Sequence, residues 1–205
     1  MGRSIEVLHP ELKKKIEELK KRCSAAGLKI GISETWRTVE EQDKLYAKGR
    51  TEPGNIVTNA RGSTYSSMHQ WYIAFDFFRN DGKGAYNNSD GFFNKVGLIG
   101  EAIGLEWGGN WKSFVDLPHF QLASWGSTPD KLKAQYKNPD NFKKSWSEVI
   151  EMNEKRYNNE SEVPDWAKDT IRKIIEAGAI ADKDKLDLSE DMLRVLVIAD
   201  RLAKA

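Results

Sequence analysis

Apolar positions recur along this chain at two periods, and the switches between them outline its elements. Leu12, Ile16, Leu19 and Cys23 fall at helical spacing, which predicts a helix over residues 10–26, with Pro10 in its first turn and Gly27 as its stop. The next stretch, Leu28 to Ser33, alternates apolar and small or polar residues and predicts a strand. A second helix is predicted over 38–48, where Thr38 and Glu41 have capping-box spacing. Residues 49–64 are rich in Gly, Asn, Thr and Pro and read as a long loop, the kind that often carries function. The aromatic run from Trp71 to Phe78 predicts a strand. Phe93, Val96, Ile99 and Ile103 predict a helix closed by Gly104. Leu105–Gly109 then leads toward a last strand at His119–Leu122, where His119 and Gln121 share one face and Phe120 and Leu122 the other. The sum is an α+β fold: a small, mostly antiparallel sheet flanked by helices.

The pattern changes after residue 140. Residues 141–157 read as a polar helix and 157–164 as a linker. Residues 164–204 read as a helix–turn–helix pair, marked by Trp166, Ile171, Ile174 and Ile175 and then by Met192, Leu193, Leu196, Val197 and Leu202. The Trp166 stripe reads as core. About forty residues are marginal as an independent domain. The expected organisation is a first domain over 1–140, a helix and linker over 141–162, and a helical module over 163–205.

Composition narrows the functional classes. The 205 residues are 39% hydrophobic and 31% charged, with a formal net charge of +1. No Lys/Arg stripe with interleaved aromatics appears, so nucleic acid is not an expected partner. The cluster Lys13–Lys15 and Lys20–Arg22 reads as a solvated helix face. The longest apolar runs fall short of a membrane span, and residues 1–6 lack the apolar stretch of a signal peptide. The expectation is synthesis in the cytoplasm without a signal peptide and, for a protein that works outside, release by other means. The lone Cys23 cannot form an internal disulfide and reads as a buried thiol.

The chemistry concentrates in three short segments. Two of the three histidines lie in Ser67-Met68-His69 and in Asp116-Leu117-Pro118-His119-Phe120, and Asp76 lies in Ala74-Phe75-Asp76. An imidazole, a carboxylate and a second imidazole form a usual three-ligand set for catalytic zinc, with a fourth position left for water. Seven positions separate His69 from Asp76, so a flat strand would put them on opposite faces. His69 therefore belongs in a bend before the strand, with Asp76 on the strand itself. Asp116, three residues before His119, is placed to handle a proton from water. Pro118 argues against a helix there. Arg37, at a strand-to-helix junction, is the candidate for stabilising a developing oxyanion. Taken singly, each element also reads as an ordinary structural residue.

Taken together, the motifs from Ser33 to Gln121 resemble peptidase family M15, zinc peptidases of bacteria and phages that include D-alanyl-D-alanine carboxypeptidases and L-alanyl-D-glutamate endopeptidases. The matching residues are Glu34-Thr35-Trp36-Arg37-Thr38, Glu41-Gln42, Leu45-Tyr46-Ala47, Gly49-Arg50-Thr51, Pro53-Gly54 and Val57-Thr58-Asn59-Ala60, followed by Ser67-x-His69, Ala74-x-Asp76, Gly104-Leu105-x-Trp107-Gly108-Gly109 and Asp116-x-Pro118-His119-Phe120. The layout is most similar to phage endolysins. The resemblance implies a D-Ala-D-Ala carboxypeptidase/hedgehog-like peptidase fold, Zn²⁺ as cofactor held by His69, Asp76 and His119, and Asp116 as general base. It implies Arg37 as the carbonyl or oxyanion contact, with Gln42 and Ser67 as pocket residues that either orient substrate or support the residues that do.

The family usually has glycine where this chain has Tyr72. In a strand reading Tyr72 shares a face with Ala74 and Asp76 and contacts substrate. Trp107 and Trp111 read equally as cleft-lining or as packing. The implied reaction is hydrolysis of the L-Ala–D-Glu bond of the peptidoglycan stem peptide, with action at the bacterial cell wall. The alternatives are a D,D- or L,D-carboxypeptidase that trims terminal D-Ala and, from another class, a non-catalytic zinc-containing binding module. The segment from Val163 to Leu202 resembles half of a surface-layer-homology-like unit, which implies attachment to a cell-wall polymer.

Overall fold

A computed structural model describes residues 4–180 and 182–203. The first three residues of the stretch read for a signal peptide, and residue 204 of the second C-terminal helix, lie outside the described residues. The chain divides into two compact units, residues 1–143 and 144–205.

In the first unit, α1 (Pro10–Ala25) buries Leu12, Ile16, Leu19 and Cys23 on one stripe. The His9 side chain accepts from the Glu11 amide and caps its start. The strand β1 (Ile30–Glu34) leads through Thr35–Arg37 to α2 (Val39–Ala47). The capping box of α2 forms as its sequence predicts: Thr38 Oγ1 accepts from the Glu41 amide and Glu41 Oε2 accepts from the Thr38 amide. Next come β2 (Ala74–Arg79), α3 (Phe92–Ala102), β3 (Leu105–Trp107) and β4 (His119–Leu122). The four strands make one antiparallel sheet in the order β1-β2-β4-β3.

Alternation along the strands separates core from site. Phe75, Phe77 and Phe120 are fully buried. Their rings meet at 5.2–5.6 Å, and Phe93 of α3 joins Phe77 at 5.1 Å, which places the aromatic core between sheet and α3. The opposite face carries Asp76, His119 and Gln121.

The polar interior is pinned as well. Arg79 is buried at the end of β2, where it bonds Asp81 and both oxygens of Asp90. This fixes the turn-rich segment before α3 and pulls the Asp81 carboxyl down to about 2.

The strand predicted over 71–78 starts later than its aromatic run suggests. Met68–Trp71 form a 3-10 turn, and Tyr72 has φ +63°, a left-handed conformation that no strand residue adopts. Trp71 and Tyr72 are aromatic for packing rather than for pairing. Glycine takes that conformation at no steric cost, which accounts for the usual residue at this position. Here the Tyr72 ring stacks on Trp36 (5.2 Å, 3° between planes), and the Lys143 ammonium lies 5.2 Å from its centre. Leu105–Trp107, read as an approach to the last strand, is itself a strand paired to β4. The short α4 (Asp130–Tyr136) shows no apolar period in the sequence.

Helix α5 (Pro139–Glu154) runs across the boundary between the units. In the second unit α6 (Asp165–Glu176) and α7 (Glu190–Leu202) pack together, and β5 (Arg156–Tyr157) pairs with β6 (Leu188–Ser189). The stretch read as a linker is part of this core, because Tyr157 and Val163 are buried with Ile171, Leu188, Leu193 and Val197. Trp166, expected in the core, is 44% exposed. Ala167, Thr170 and Ile171 are the buried residues of α6. Trp166 precedes that face by one position, and a one-residue offset on a helix turns a side chain outward.

Candidate active site

Register brings the distant residues together. Asp76 on β2 lies directly opposite His119 on β4 on one side and opposite Glu34 on β1 on the other. Between Ile32 and Glu34 the β1–β2 register shifts by one residue, a bulge that aims Glu34 toward Asp76. His69 reaches in from the 3-10 turn before β2. The result is a triangle. His69 Nε2 is 3.2 Å from His119 Nδ1, His119 Nδ1 is 3.1 Å from Asp76 Oδ1, and His69 Nε2 is 3.2 Å from Asp76 Oδ1.

The outer hydrogen bonds fix what these atoms offer. His69 Nδ1 is 2.6 Å from the Thr35 carbonyl, which only accepts, so Nδ1 carries the proton and Nε2 faces inward as a lone pair. Gln121 Nε2 donates to Glu106 Oε2 and to the Gly126 carbonyl, both pure acceptors. That leaves Gln121 Oε1 to accept from His119 Nε2 at 3.1 Å, so His119 Nδ1 is a lone pair too. Two imidazole lone pairs and a carboxylate oxygen thus converge with no donor among them.

Such a cluster calls for a cation at its centre. A tetrahedral ion with bonds of roughly 2.0–2.1 Å separates its ligand atoms by about 3.3 Å, close to the separations here. The donor set fits zinc, and His69, Asp76 and His119 are the group among the described residues able to hold a metal ion.

The surrounding charges are balanced around this point. Arg37 donates through Nη2 to Asp76 Oδ2, through Nε to Glu34 Oε2 and through Nη1 to Gln42 Oε1. Burial opposes ionisation of Asp76, yet the two imidazoles hold its carboxyl well below the usual range. Burial lowers His69. Burial also opposes a charge on His119, but the adjoining Asp76 carboxylate outweighs it and raises that histidine. Burial, helped by the negative charge of Asp76, raises Asp116 above the ordinary carboxylate value.

Asp116 lies in the loop ahead of β4. Its backbone amide donates to the Gly108 carbonyl, and its carbonyl accepts from the His119 amide. A side chain at Gly108 would meet the Asp116 carbonyl oxygen at 2.6 Å and His119 Cβ at 3.0 Å, so only glycine lets the two segments approach this closely.

These groups open onto a cavity of about 510 Å³. Arg37, Ser67, His69, Asp76, Asp116 and His119 all line it. Gln42 does not. It is fully buried, taking Arg37 on its oxygen and holding Thr58 and the Ala60 carbonyl with its nitrogen. It is a brace between Arg37 and the long loop rather than a substrate contact. Tyr72 also lies off the cavity, turned toward Trp36 by its left-handed backbone. Trp107 is 5% exposed, packs on Gly97 and Gly109, and donates to the Leu117 carbonyl. It is a packing residue that steadies the Asp116 loop. Trp111 does line the cavity, with its ring 4.9 Å from that of His119.

The residues not singled out in the sequence are Gln121 and Glu106. Gln121 orients His119, while Glu106 bonds both Gln121 and Trp111 Nε1. The available signal was strand period: Gln121 shares the His119 face, and Glu106 pairs opposite it.

A buried His–Asp–His cluster beside a raised carboxyl in an open cleft defines the class as a metal-dependent hydrolase. A family model described as D-alanyl-D-alanine carboxypeptidase matches residues 61–122, the span that carries His69, Asp76, Asp116 and His119. The chain is 38% identical over 124 residues to the peptidoglycan L-alanyl-D-glutamate endopeptidase CwlK of Bacillus subtilis (strain 168), covering 56% of this chain and 73% of that protein. It is 35% identical over 100 residues to the L-alanyl-D-glutamate peptidase of Listeria phage A118, covering 47% of this chain and 31% of that one. The L-Ala D-Glu endopeptidase ChiX of Serratia marcescens aligns with a TM-score of 0.44 at 21% identity, over 58% of this chain and 83% of that one. The chain belongs to peptidase family M15.

Proposed function

We propose that the chain is a zinc-dependent peptidoglycan endopeptidase that hydrolyses the L-Ala–D-Glu bond of the stem peptide. The single observation behind this reading is the triangle of three donor-free ligand atoms, 3.1–3.2 Å apart, beside Asp116. The names of the two relatives above supply the bond.

His69, Asp76 and His119 would hold zinc, which when bound supplies Lewis acidity and makes water nucleophilic near neutral pH. Asp116 accepts the proton of the attacking water and delivers it to the leaving amine nitrogen. Its raised proton affinity suits both directions of transfer. Arg37 donates to Asp76 Oδ2 and presents its remaining guanidinium protons to the cavity, where a developing oxyanion can accept them.

Metal analysis of the purified protein, paired with mass spectrometry of digested muropeptides, tests this. Stoichiometric zinc and a break between L-Ala and D-Glu are expected. Loss of a single terminal alanine would instead make it a carboxypeptidase, and intact muropeptides would leave a binding module.

For the unit over 144–205 we propose attachment to a cell-wall polymer. It is compact in its own right and contains none of the catalytic set. Deleting residues 160–205 should weaken wall binding while cleavage of soluble fragments persists, and unchanged wall binding would refute the role. Among the described residues no helix is long and apolar enough to cross a membrane.

A further inference from the structure

Five charged side chains besides the imidazoles line the cavity: Arg37, Asp76, Asp116, Asp130 and Lys133. Four have a role within the wall. Arg37 is tied to two carboxylates, Asp76 completes the ligand triangle, Asp116 flanks it, and Asp130 accepts from Thr128 Oγ1. Lys133, on α4, is different. Its Nζ lies 3.0 Å from Ser66 Oγ, a neutral group, and among the described residues it forms no ion pair. An ammonium carries three donors, so a half-buried cation with donors to spare faces a cleft that otherwise holds three carboxylates and the already paired Arg37. The oxyanion contact takes the open side of Arg37, so Lys133 is the lining cation left for a second anionic group of the substrate.

The chemistry of the proposed substrate supplies the anion. A glutamyl residue that continues its chain through one carboxyl keeps the other free, either as a carboxylate or capped as an amide. Where the chain continues through the side-chain carboxyl, the free one is the α-carboxyl, one carbon from the scissile nitrogen, and it must enter this cleft. We infer that Lys133 binds this α-carboxylate and selects stems whose glutamate is not amidated. The inference rests on the endopeptidase reading above. It adds a binding residue on a helix that neither the family model nor the zinc triangle reaches.

The test uses two synthetic stem peptides that differ only in carboxylate or amide at that position, cleaved by the full chain, by Lys133→Met and by Lys133→Arg. The wild type should favour the carboxylate peptide by about 10–100-fold in kcat/KM, mostly through KM, as one charge-assisted hydrogen bond warrants. Lys133→Met should bring that ratio to within about threefold of unity, and Lys133→Arg should restore most of it. A wild type indifferent to the amide, or a Lys133→Met variant that keeps the preference or is inactive on both peptides, overturns the assignment of Lys133. A wild type that cleaves neither peptide overturns the endopeptidase reading itself, and this inference with it.

Discussion

The two units bury very different interiors. In residues 1–143 the buried set includes Thr35, Gln42, Ser67, His69, Gln70, Arg79, His119 and Gln121; in the described part of residues 144–205 the buried polar residue is Thr170. Burying a polar group costs free energy unless its hydrogen bonds are remade. The first unit remakes them in a connected network, Thr35 to His69 and Glu106 through Gln121 to His119. The second keeps the cost small with a mainly aliphatic core whose Tyr157 hydroxyl donates to Glu190, and it leaves Trp166, Met192, Val195, Ile198 and Leu202 at its surface. The difference teaches where chemistry is invested: a unit that needed only to fold would resemble the second.

The sharpest way to break this contrast is to remove one charge from the polar interior. Asp116→Asn should keep the fold and the metal while turnover of muropeptides falls about 10²–10⁴-fold. Full activity would remove Asp116 as the base, and loss of metal would make it a ligand instead. The matching probe in the second unit is Leu193→Ala, which empties a fully buried site. It should destabilise that unit by about 2–5 kcal/mol in denaturant melts. Cleavage of soluble stem peptides should persist, and a parallel collapse of activity would show that the units do not divide the labour as drawn.

What could be read from the sequence follows the same division. The α1 stripe, the Thr38–Glu41 capping box and the His119/Gln121 face depend on residues within a few positions of one another, and they form where the pattern puts them. The cluster of His69, Asp76 and His119 was legible in residue types and family motifs. Its supports were not, because they depend on register. A bulge at Ile32–Glu34 sets Glu34 beside Asp76, and pairing across β3–β4 sets Glu106 beside Gln121. Arg37 read as the carbonyl or oxyanion contact, and its ties to Glu34, Gln42 and Asp76 were not legible. Tyr72 read toward the substrate and Trp107 stood open between cleft and packing, because an aromatic in a motif is compatible with either; the left-handed backbone turns Tyr72 away, and packing holds Trp107. Trp166 misled in the other direction, by one position on a helix.

The supports themselves predict a smaller effect than loss of the base. Gln121→Ala removes the acceptor that fixes the His119 tautomer and leaves the Glu106 carboxylate without that donor. Outer partners of ligating histidines are typically worth about 10–100-fold in metal affinity. Competition with a chelator should show a loss in that range, and an unchanged affinity would mean that the strand alone orients His119.

The smallest effect on activity is expected at Tyr72, which lies near the site yet off the cavity. Two terms oppose each other in Tyr72→Gly. Relief of the left-handed backbone is worth about 1–2 kcal/mol. Loss of a buried aromatic ring stacked on Trp36 costs more, about 3–5 kcal/mol in comparable truncations. The variant should therefore be less stable by about 1–4 kcal/mol on those two figures. Tyr72→Phe keeps the ring and loses only the phenol, which burial and the nearby Asp140 push up to about 12. That variant should melt close to the wild type. In both, kcat/KM on stem peptides should stay at the wild-type value at temperatures where the protein is folded. A selective rise in KM in either one would return Tyr72 to the substrate pocket, contrary to its stacking on Trp36.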